Sequence, residues 1–145
     1  MDDIIDWKPG WGPDLYDDGV ITYKAPKGFY RRAFSKLERK LGIETRRVRK
    51  EERADIICKY KEISLPYAGW HFRRYDFERD REFSQIEVKP NKYYTKSTII
   101  HEIGHALGLG HPENHSRTDT IMSYGADRNL KWFTEYDCKV LNYLY

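Results

Sequence analysis

Cysteine and long apolar stretches are both scarce in this chain of 145 residues. Only Cys58 and Cys138 are present, which is too few for a disulfide framework. We expect two free thiols, although the sequence leaves a single bridge between them open. Hydrophobic residues make up 39% of the chain, and no apolar run approaches the ~20 residues of a membrane-spanning helix.

The N-terminal residues, MDDIIDWKPG, are acidic and lack the apolar segment of a secretory signal. We therefore expect no membrane association. The protein is expected in the cytoplasm at synthesis, unless the sequence is a processed form.

A strong net charge is also missing, since the formal value is +3 at pH 7. The charges are nevertheless uneven: residues 1–19 hold six Asp and one Lys, whereas residues 31–53 hold ten Lys or Arg against four Glu. A basic stretch can follow the phosphates of a nucleic acid, so a nucleic-acid-binding module is one alternative function. A solvated helix and strand surface explains the same residues, and we do not expect a nucleic-acid partner.

The chain length suits one folded domain. Residues 1–19 contain three Gly, two Pro and two Trp, which predicts an irregular N-terminal arm. Residues 20–145 mix strand-like and helix-like patterns, which predicts an α/β or α+β domain with one mixed sheet. Strands are predicted at 20–25, 44–48, 55–60 and 84–89, with an irregular edge strand at 67–77. Pro26 suits the start of the first predicted helix, in which Phe29, Ala33, Leu37 and Leu41 recur every four residues. Further helices are predicted at 95–107 and 135–144.

The predicted helices carry end signals. Gly42 and Gly108 are expected to end the first two helices. Thr95 or Ser97 is expected to cap the start of the second helix, and Thr134 with Asp137 forms a capping pattern before the last. The stretch at 108–132 has no periodicity, and a loop of that length in a compact domain is usually functional.

The second predicted helix carries two histidines four residues apart, His101 and His105. Residues at this spacing lie on one helix face, one turn apart, so both imidazoles can bind the same ion. Glu102 lies about 100° around the helix from His101, where it can reach a metal-bound water without binding the metal. This is the metalloprotease arrangement, in which two histidines bind zinc and a glutamate acts as base.

A third ligand follows at a workable spacing. A catalytic zinc needs three protein ligands and one open position. His111 is six residues beyond His105, too far to share the helix face, but Gly108 can adopt the left-handed conformation that ends a helix and turns the chain back. Two ligands, a base, a turn and a third ligand therefore occur in one short segment. Zinc held by neutral imidazoles would activate water and polarise a carbonyl, and Glu102 would take the proton from that water.

Residues 101–111, HEIGHALGLGH, resemble the H-E-x-x-H-x-x-G-x-x-H signature of the metzincin metalloproteases. The segment IMSYG at 121–125 is similar to the Met-turn of that clan. Residues 20–57 and 134–145 resemble the N-terminal half and the last helix of matrixin catalytic domains, while the tyrosine two places after Met122 resembles astacins and serralysins. The chain is thus similar to a matrixin-like or serralysin-like catalytic domain.

The resemblance implies a single zincin-like domain at residues 20–145, with a twisted mixed sheet of five strands, an active-site helix and a C-terminal helix. It also implies a zinc metalloendopeptidase with one catalytic Zn²⁺. The implied metal ligands are His101, His105 and His111, and the implied base is Glu102. No calcium site is predicted, because the glycine-rich calcium loop of matrixins is not visible.

Two finer expectations depend on the loop after the third histidine. Tyr124 would bind zinc weakly at rest and then donate a hydrogen bond to the oxyanion. Residues 125–133 would line the pocket for the residue after the scissile bond and favour a medium or large apolar side chain there. We expect a peptide or protein substrate and a monomeric enzyme. The alternative to an active peptidase is a catalytically weak, peptidase-like binding domain, against which the presence of Glu102 argues.

Overall fold

The computed structural model describes residues 19–64, 66–90, 93–114, 116–123 and 129–145. Within them lie five strands and three α-helices. The strands are β1 (Ile21–Lys24), β2 (Thr45–Arg47), β3 (Ile56–Tyr60), β4 (Gly69–Asp76) and β5 (Arg81–Val88), and the helices are α1 (Phe29–Leu41), α2 (Thr95–Ala106) and α3 (Glu135–Leu144).

The strands form one mixed sheet in the order β2-β1-β3-β5-β4. The pairs β1–β2, β1–β3 and β3–β5 are parallel, and β4 pairs antiparallel with β5 at the edge of the sheet. A parallel pair needs a long crossover, which α1 supplies between β1 and β2, whereas β4 and β5 are joined by a short hairpin. The predicted α+β fold with a five-stranded mixed sheet is confirmed.

Helix α1 buries the apolar face that its four-residue spacing predicts. Tyr30, Ala33, Phe34 and Leu37 are all buried on that face. The ring of Phe34 stacks on Tyr23 of β1 with centroids 4.1 Å apart, which fixes the helix against the sheet. The helix ends as predicted at Gly42, whose backbone is left-handed with φ of 68°.

Helix α2 lies in the centre of the domain and is buried along most of its length. The predicted cap at Thr95 or Ser97 is wrong, because Tyr94 precedes the first turn and no side chain caps it. The Thr95 hydroxyl instead donates to the carbonyl of Lys89, 3.1 Å away, and thereby ties the helix to the end of β5. Tertiary packing therefore replaces the local cap that the sequence suggested.

The β4–β5 hairpin is more regular than predicted. Strand β4 runs without interruption over eight residues and occupies an edge, as expected. Strand β5 begins at Arg81, three residues before the predicted start at 84. The reason is the antiparallel register, which pairs Asp76 with Arg81 and so continues both strands to the turn. A short 3-10 turn at Glu51–Arg53 was not predicted.

Helix α3 confirms the predicted capping pattern. The Thr134 hydroxyl accepts from the backbone nitrogen of Asp137 at 3.1 Å, and the Asp137 carboxyl accepts from the backbone nitrogen of Thr134 at 3.0 Å. These two bonds satisfy helix-end donors that would otherwise lack partners. Cys58 and Cys138 are both free thiols, as expected.

No helix among the described residues is long and apolar enough to cross a membrane. The predicted N-terminal arm, apart from residue 19, lies outside the described part of the chain.

Candidate metal centre

The two histidines on α2 face the same point. His101 and His105 are one turn apart, and their Nε2 atoms are 3.1 Å from each other. Their rings are nearly perpendicular, with an interplanar angle of 88°. The local geometry of the helix is sufficient to produce this pair, because side chains at i and i+4 project from one face.

A turn at the end of α2 brings the third histidine to the same point. Gly108 has φ of 102°, a conformation that residues with a side chain rarely adopt. The turn is held by a bond from the nitrogen of Leu109 to the carbonyl of Gly104, at 2.9 Å. The Nε2 atom of His111 then lies 3.2 Å from that of His105 and 3.4 Å from that of His101.

The outer nitrogens of two of these rings donate to backbone carbonyls. Nδ1 of His101 donates to the carbonyl of Ile121 at 2.9 Å, and Nδ1 of His105 donates to the carbonyl of Leu109 at 2.8 Å. A neutral ring that donates through Nδ1 carries its lone pair on Nε2, which points to the shared centre. Burial, and next the charge of His111, lower the pKa of His105 to about 4, so this ring is neutral at neutral pH.

The triangle of Nε2 atoms fits a zinc ion. Two nitrogens bound tetrahedrally to zinc at 2.0–2.1 Å are about 3.3 Å apart, and the three separations here are 3.1, 3.2 and 3.4 Å. Three lone pairs directed at one another repel unless a cation lies among them. The donor set of neutral imidazoles, with backbone carbonyls behind two of them, is the type that zinc prefers in proteins.

Glu102 follows His101 on the helix and lines the same cleft as the three histidines. Its side chain is 5% exposed, and its Oε2 atom is buried without a hydrogen-bond partner among the described residues. Burial raises the pKa of the Glu102 carboxyl to about 8. A buried oxygen without a protein partner costs free energy, and a carboxyl group kept in that state at the wall of a cleft is typical of functional sites.

The cleft beside the histidines has a volume of about 430 Å³. One wall is the start of β4 and the other is α2. The lining residues that sequence analysis did not single out are Pro66, Tyr67, Ala68, Gly69, Trp70 and Thr98. No local pattern marks these positions, because β4 and α2 meet only in the folded domain.

His71 also lines this cleft, from β4. Its ring lies 6.1 Å from the ring of His105, centroid to centroid, and its Nε2 atom is 2.9 Å from the hydroxyl of Ser84. Burial first, and then the charges of His105 and Arg73, lower the pKa of His71 to about 3. His71 is therefore a neutral, polar part of the cleft wall and lies outside the three-histidine cluster.

Met122 packs against α2 at Gly104, and the Met-turn expected around it stays a prediction. Its side chain is fully buried. A Cβ atom at Gly104 would lie 2.6 Å from the sulfur of Met122 and 3.3 Å from the ring of Phe133. A side chain at position 104 would therefore require the thioether of Met122 and the ring of Phe133 to shift within a packed core. Tyr124, the possible oxyanion donor, lies outside the described residues.

A buried carboxyl on α3 braces the same segment. Asp137 is fully buried, and its Oδ2 atom accepts from the backbone nitrogen of Ile121 at 2.9 Å. Its Oδ1 atom accepts from the hydroxyl of Thr120. Because the carbonyl of Ile121 accepts from His101, Asp137 is connected to the histidine cluster through a single residue, Ile121. The sequence marked Asp137 only as a helix cap, and this second role had no local signal.

The family model for Matrixin matches residues 67–145, which is more than half of the chain. The chain belongs to the matrixin family. A comparison with curated proteins gave no match. The resemblance to a metzincin-like catalytic domain is thus confirmed at the level of the family.

Membership has direct consequences for the chemistry. Matrixins are zinc-dependent peptidases, so the family places the chain among hydrolases that act on peptide or protein substrates. The match includes β4 and α2, which line the cleft, the three clustered histidines, and the elements β5 and α3. The matched segment begins at Tyr67, and the likeness of residues 20–57 to matrixins therefore stays a prediction.

Proposed function

We propose that this matrixin is a zinc endopeptidase that cuts polypeptides bound in an extended conformation along the cleft. The observation that carries the proposal is the convergence of three imidazole Nε2 atoms within 3.4 Å of one another, in a cleft that the buried Glu102 also lines. His101, His105 and His111 would hold one Zn²⁺. When bound, zinc polarises a carbonyl oxygen and lowers the pKa of a water molecule to about 7.

Glu102 carries the proton in this proposal. The charge of a bound Zn²⁺ would favour the ionised form of the nearby Glu102 carboxyl and so oppose the effect of burial on its pKa. Its Oε2 atom, which has no hydrogen-bond partner among the described residues, would then take a proton from the attacking water. The water oxygen forms a bond to the carbonyl carbon, and the bond from that carbon to the amide nitrogen breaks. Glu102 then returns the proton to the leaving amine. Glu102 thus acts first as a base and then as an acid. Both roles require a carboxyl that is close to the reacting water and is not itself a metal ligand.

The edge of the sheet supports cleavage within a chain. Strand β4 pairs with β5 on one side only among the described strands, and it forms one wall of the cleft. An open strand edge binds extended peptides through backbone hydrogen bonds, largely independently of their side chains. A substrate bound in this way extends past the metal centre in both directions, as an endopeptidase requires.

The pocket after the scissile bond is proposed to accept a medium or large apolar side chain. Leu130 and Trp132 pack against the hydrophobic core from the loop before α3, and Phe133 belongs to that core. Residues 124–128, which precede them in the same loop, lie outside the described residues. The proposed preference therefore rests on the apolar residues Leu130, Trp132 and Phe133. We also propose that Tyr124 donates to the oxyanion, where a second donor is worth about 3 kcal/mol.

Metal content and turnover test the proposal together. The purified protein should contain one zinc per chain, lose activity to a chelator and regain it when zinc is added. Glu102→Ala should keep the zinc and lower kcat at least about a thousandfold, because the proton carrier is missing. Glu113→Ala is a matched control, since Glu113 is an exposed carboxylate in the loop after His111.

Two experimental results would contradict the proposed function in different ways. A Glu102→Ala protein with near-normal peptidase activity would refute the mechanism. A wild-type protein that binds zinc and polypeptide but cleaves nothing would be a peptidase-like binding domain.

A further inference from the structure

Three rings and a guanidinium follow one another along β4 and the residues just before it, outside the histidine cluster. We name this set the aromatic ladder: Tyr67, Trp70, Phe72 and Arg74. The ring centroids of Tyr67 and Trp70 are 6.1 Å apart, and those of Trp70 and Phe72 are 5.8 Å apart. The guanidinium of Arg74 lies 5.5 Å from the ring of Phe72. Alternate residues of a strand share one face, so positions 70, 72 and 74 form one surface.

The ladder lies on the face of β4 that points away from the helices. On the opposite face, a Cβ at Gly69 would lie 2.8 Å from Thr98 of α2, and the ring of His71 lies near that of His105. Tyr67 is 60% exposed and Phe72 is 36% exposed. Four of the eight exposed large hydrophobic side chains in the described residues lie between positions 67 and 77, and two of these four, Tyr67 and Phe72, belong to the ladder.

The central ring of the ladder is held in place. The indole nitrogen of Trp70 donates to Oε1 of Glu87 at 2.6 Å, and Glu87 is 8% exposed. The second oxygen of Glu87 accepts from the amide of Gln85 at 3.4 Å. A ring fixed before binding loses little conformational entropy when a partner stacks on it. The surface is thus preorganised and does not depend on a partner for its order.

The ladder is continuous with the cleft. Tyr67 and Trp70 belong to the ladder and also line the cavity that contains His101, Glu102 and His105. An extended polypeptide advances about 6.6 Å for every two residues, close to the spacings of 6.1 and 5.8 Å between neighbouring rings. A polypeptide that leaves the cleft along β4 can therefore place alternate side chains on successive rings.

We propose that the aromatic ladder is a second binding surface for the protein substrate, which holds the part of the polypeptide outside the scissile segment. It binds side chains that stack, such as proline and aromatic residues, and Arg74 at its far end takes a carboxylate. The inference rests on the proposed peptidase function and extends it: long, unfolded polypeptides are better substrates than short peptides with the same cleavage site.

The test compares cleavage of the same site in a long substrate and in a short one. The double variant Phe72→Ala/Arg74→Ala removes the outer half of the ladder and leaves Tyr67 and Trp70, which line the cleft, unchanged. The substrates are casein, an unfolded protein, and a six-residue peptide copied from a site that the enzyme cuts in casein. We expect kcat/KM for casein to fall about tenfold through KM, with the value for the short peptide within about twofold of wild type. Tyr143→Ala, which removes an exposed ring from α3, should change neither value.

Each outcome supports or overturns the proposal. Equal losses on both substrates, or no loss on either, would overturn it. If the zinc-loaded wild type cuts neither substrate, the proposed function fails, and the ladder is then tested by casein binding alone. In the Glu102→Ala background, the ladder variant should bind casein about tenfold more weakly by Trp fluorescence. Unchanged casein binding with lost binding of a single-stranded oligonucleotide or an oligosaccharide would assign the ladder to another class of partner and overturn the proposal.

Discussion

Substitution of Asp137 offers the sharpest test of how the domain supports its metal centre. The fully buried carboxyl accepts from the backbone nitrogens of Ile121 and Thr134 at 2.9 and 3.0 Å, and also from the hydroxyl of Thr120. Asp137→Asn replaces one oxygen by an NH₂ group of the same size. Asp137→Ala removes both oxygens, so the pair forms a graded series.

The magnitude follows from the number of donors left without an acceptor. In Asp137→Asn, the remaining oxygen can accept from both backbone nitrogens, and the Thr120 hydroxyl loses its acceptor. One buried, unsatisfied donor costs about 1–3 kcal/mol, so we expect a loss near 2 kcal/mol. Asp137→Ala leaves all three donors without an acceptor, including the Thr134 nitrogen of the capping box, and the expected loss is about 4 kcal/mol or more.

The measurement is urea or thermal unfolding of the zinc-free protein, with zinc affinity as a second readout. For a domain of this size, 2 kcal/mol corresponds to a Tm lower by roughly 5–10 °C. Zinc affinity should fall about tenfold, because the Ile121 carbonyl that orients His101 becomes less restrained. Glu135→Gln is the control, since the side chain of Glu135 is 91% exposed in the same helical turn. If Asp137→Asn and Asp137→Ala both match wild type, the bracing role is refuted.

Four further predictions test other parts of the chain. Gly104→Ala should destabilise the domain by about 1–2 kcal/mol in chemical unfolding, since the clash with Met122 outweighs the helix preference of alanine; a more stable variant would contradict the close approach. Tyr124→Phe should keep the zinc and lower kcat about tenfold to a hundredfold, and an unchanged rate would reduce Tyr124 to packing. Peptide-library cleavage should favour apolar side chains after the scissile bond, whereas a preference for acidic ones would count against the pocket proposed at 125–133. Deletion of residues 1–18 should leave peptidase activity within about twofold, and a large rise would show instead that the acidic arm inhibits the enzyme.

Local spacing was sufficient to predict the parts of the site that lie within a few residues of one another. The pair His101 and His105 needs only helical geometry, because side chains at i and i+4 always share a face. The return of the chain to His111 needs a residue that tolerates a positive φ, and Gly108 supplies it. The cap formed by Thr134 and Asp137 is likewise a contact between residues three positions apart.

The sequence by itself therefore determined the metal-binding residues that we propose, the helix that carries two of them, and the mixed α+β class of the fold. These features depend on short-range geometry or on the order of strands and helices along the chain. Such patterns can be recognised in the residues without knowledge of how distant segments pack.

Only the tertiary structure decided which residues surround that centre. The wall of the cleft forms because β4 and α2 pack together. This packing places Gly69 against the side chain of Thr98 and the ring of His71 near that of His105. Asp137 reaches Ile121 across 16 positions of the chain. Contacts of this kind depend on packing between segments that share no spacing rule, and the same side chains would be consistent with many other arrangements until the core is formed.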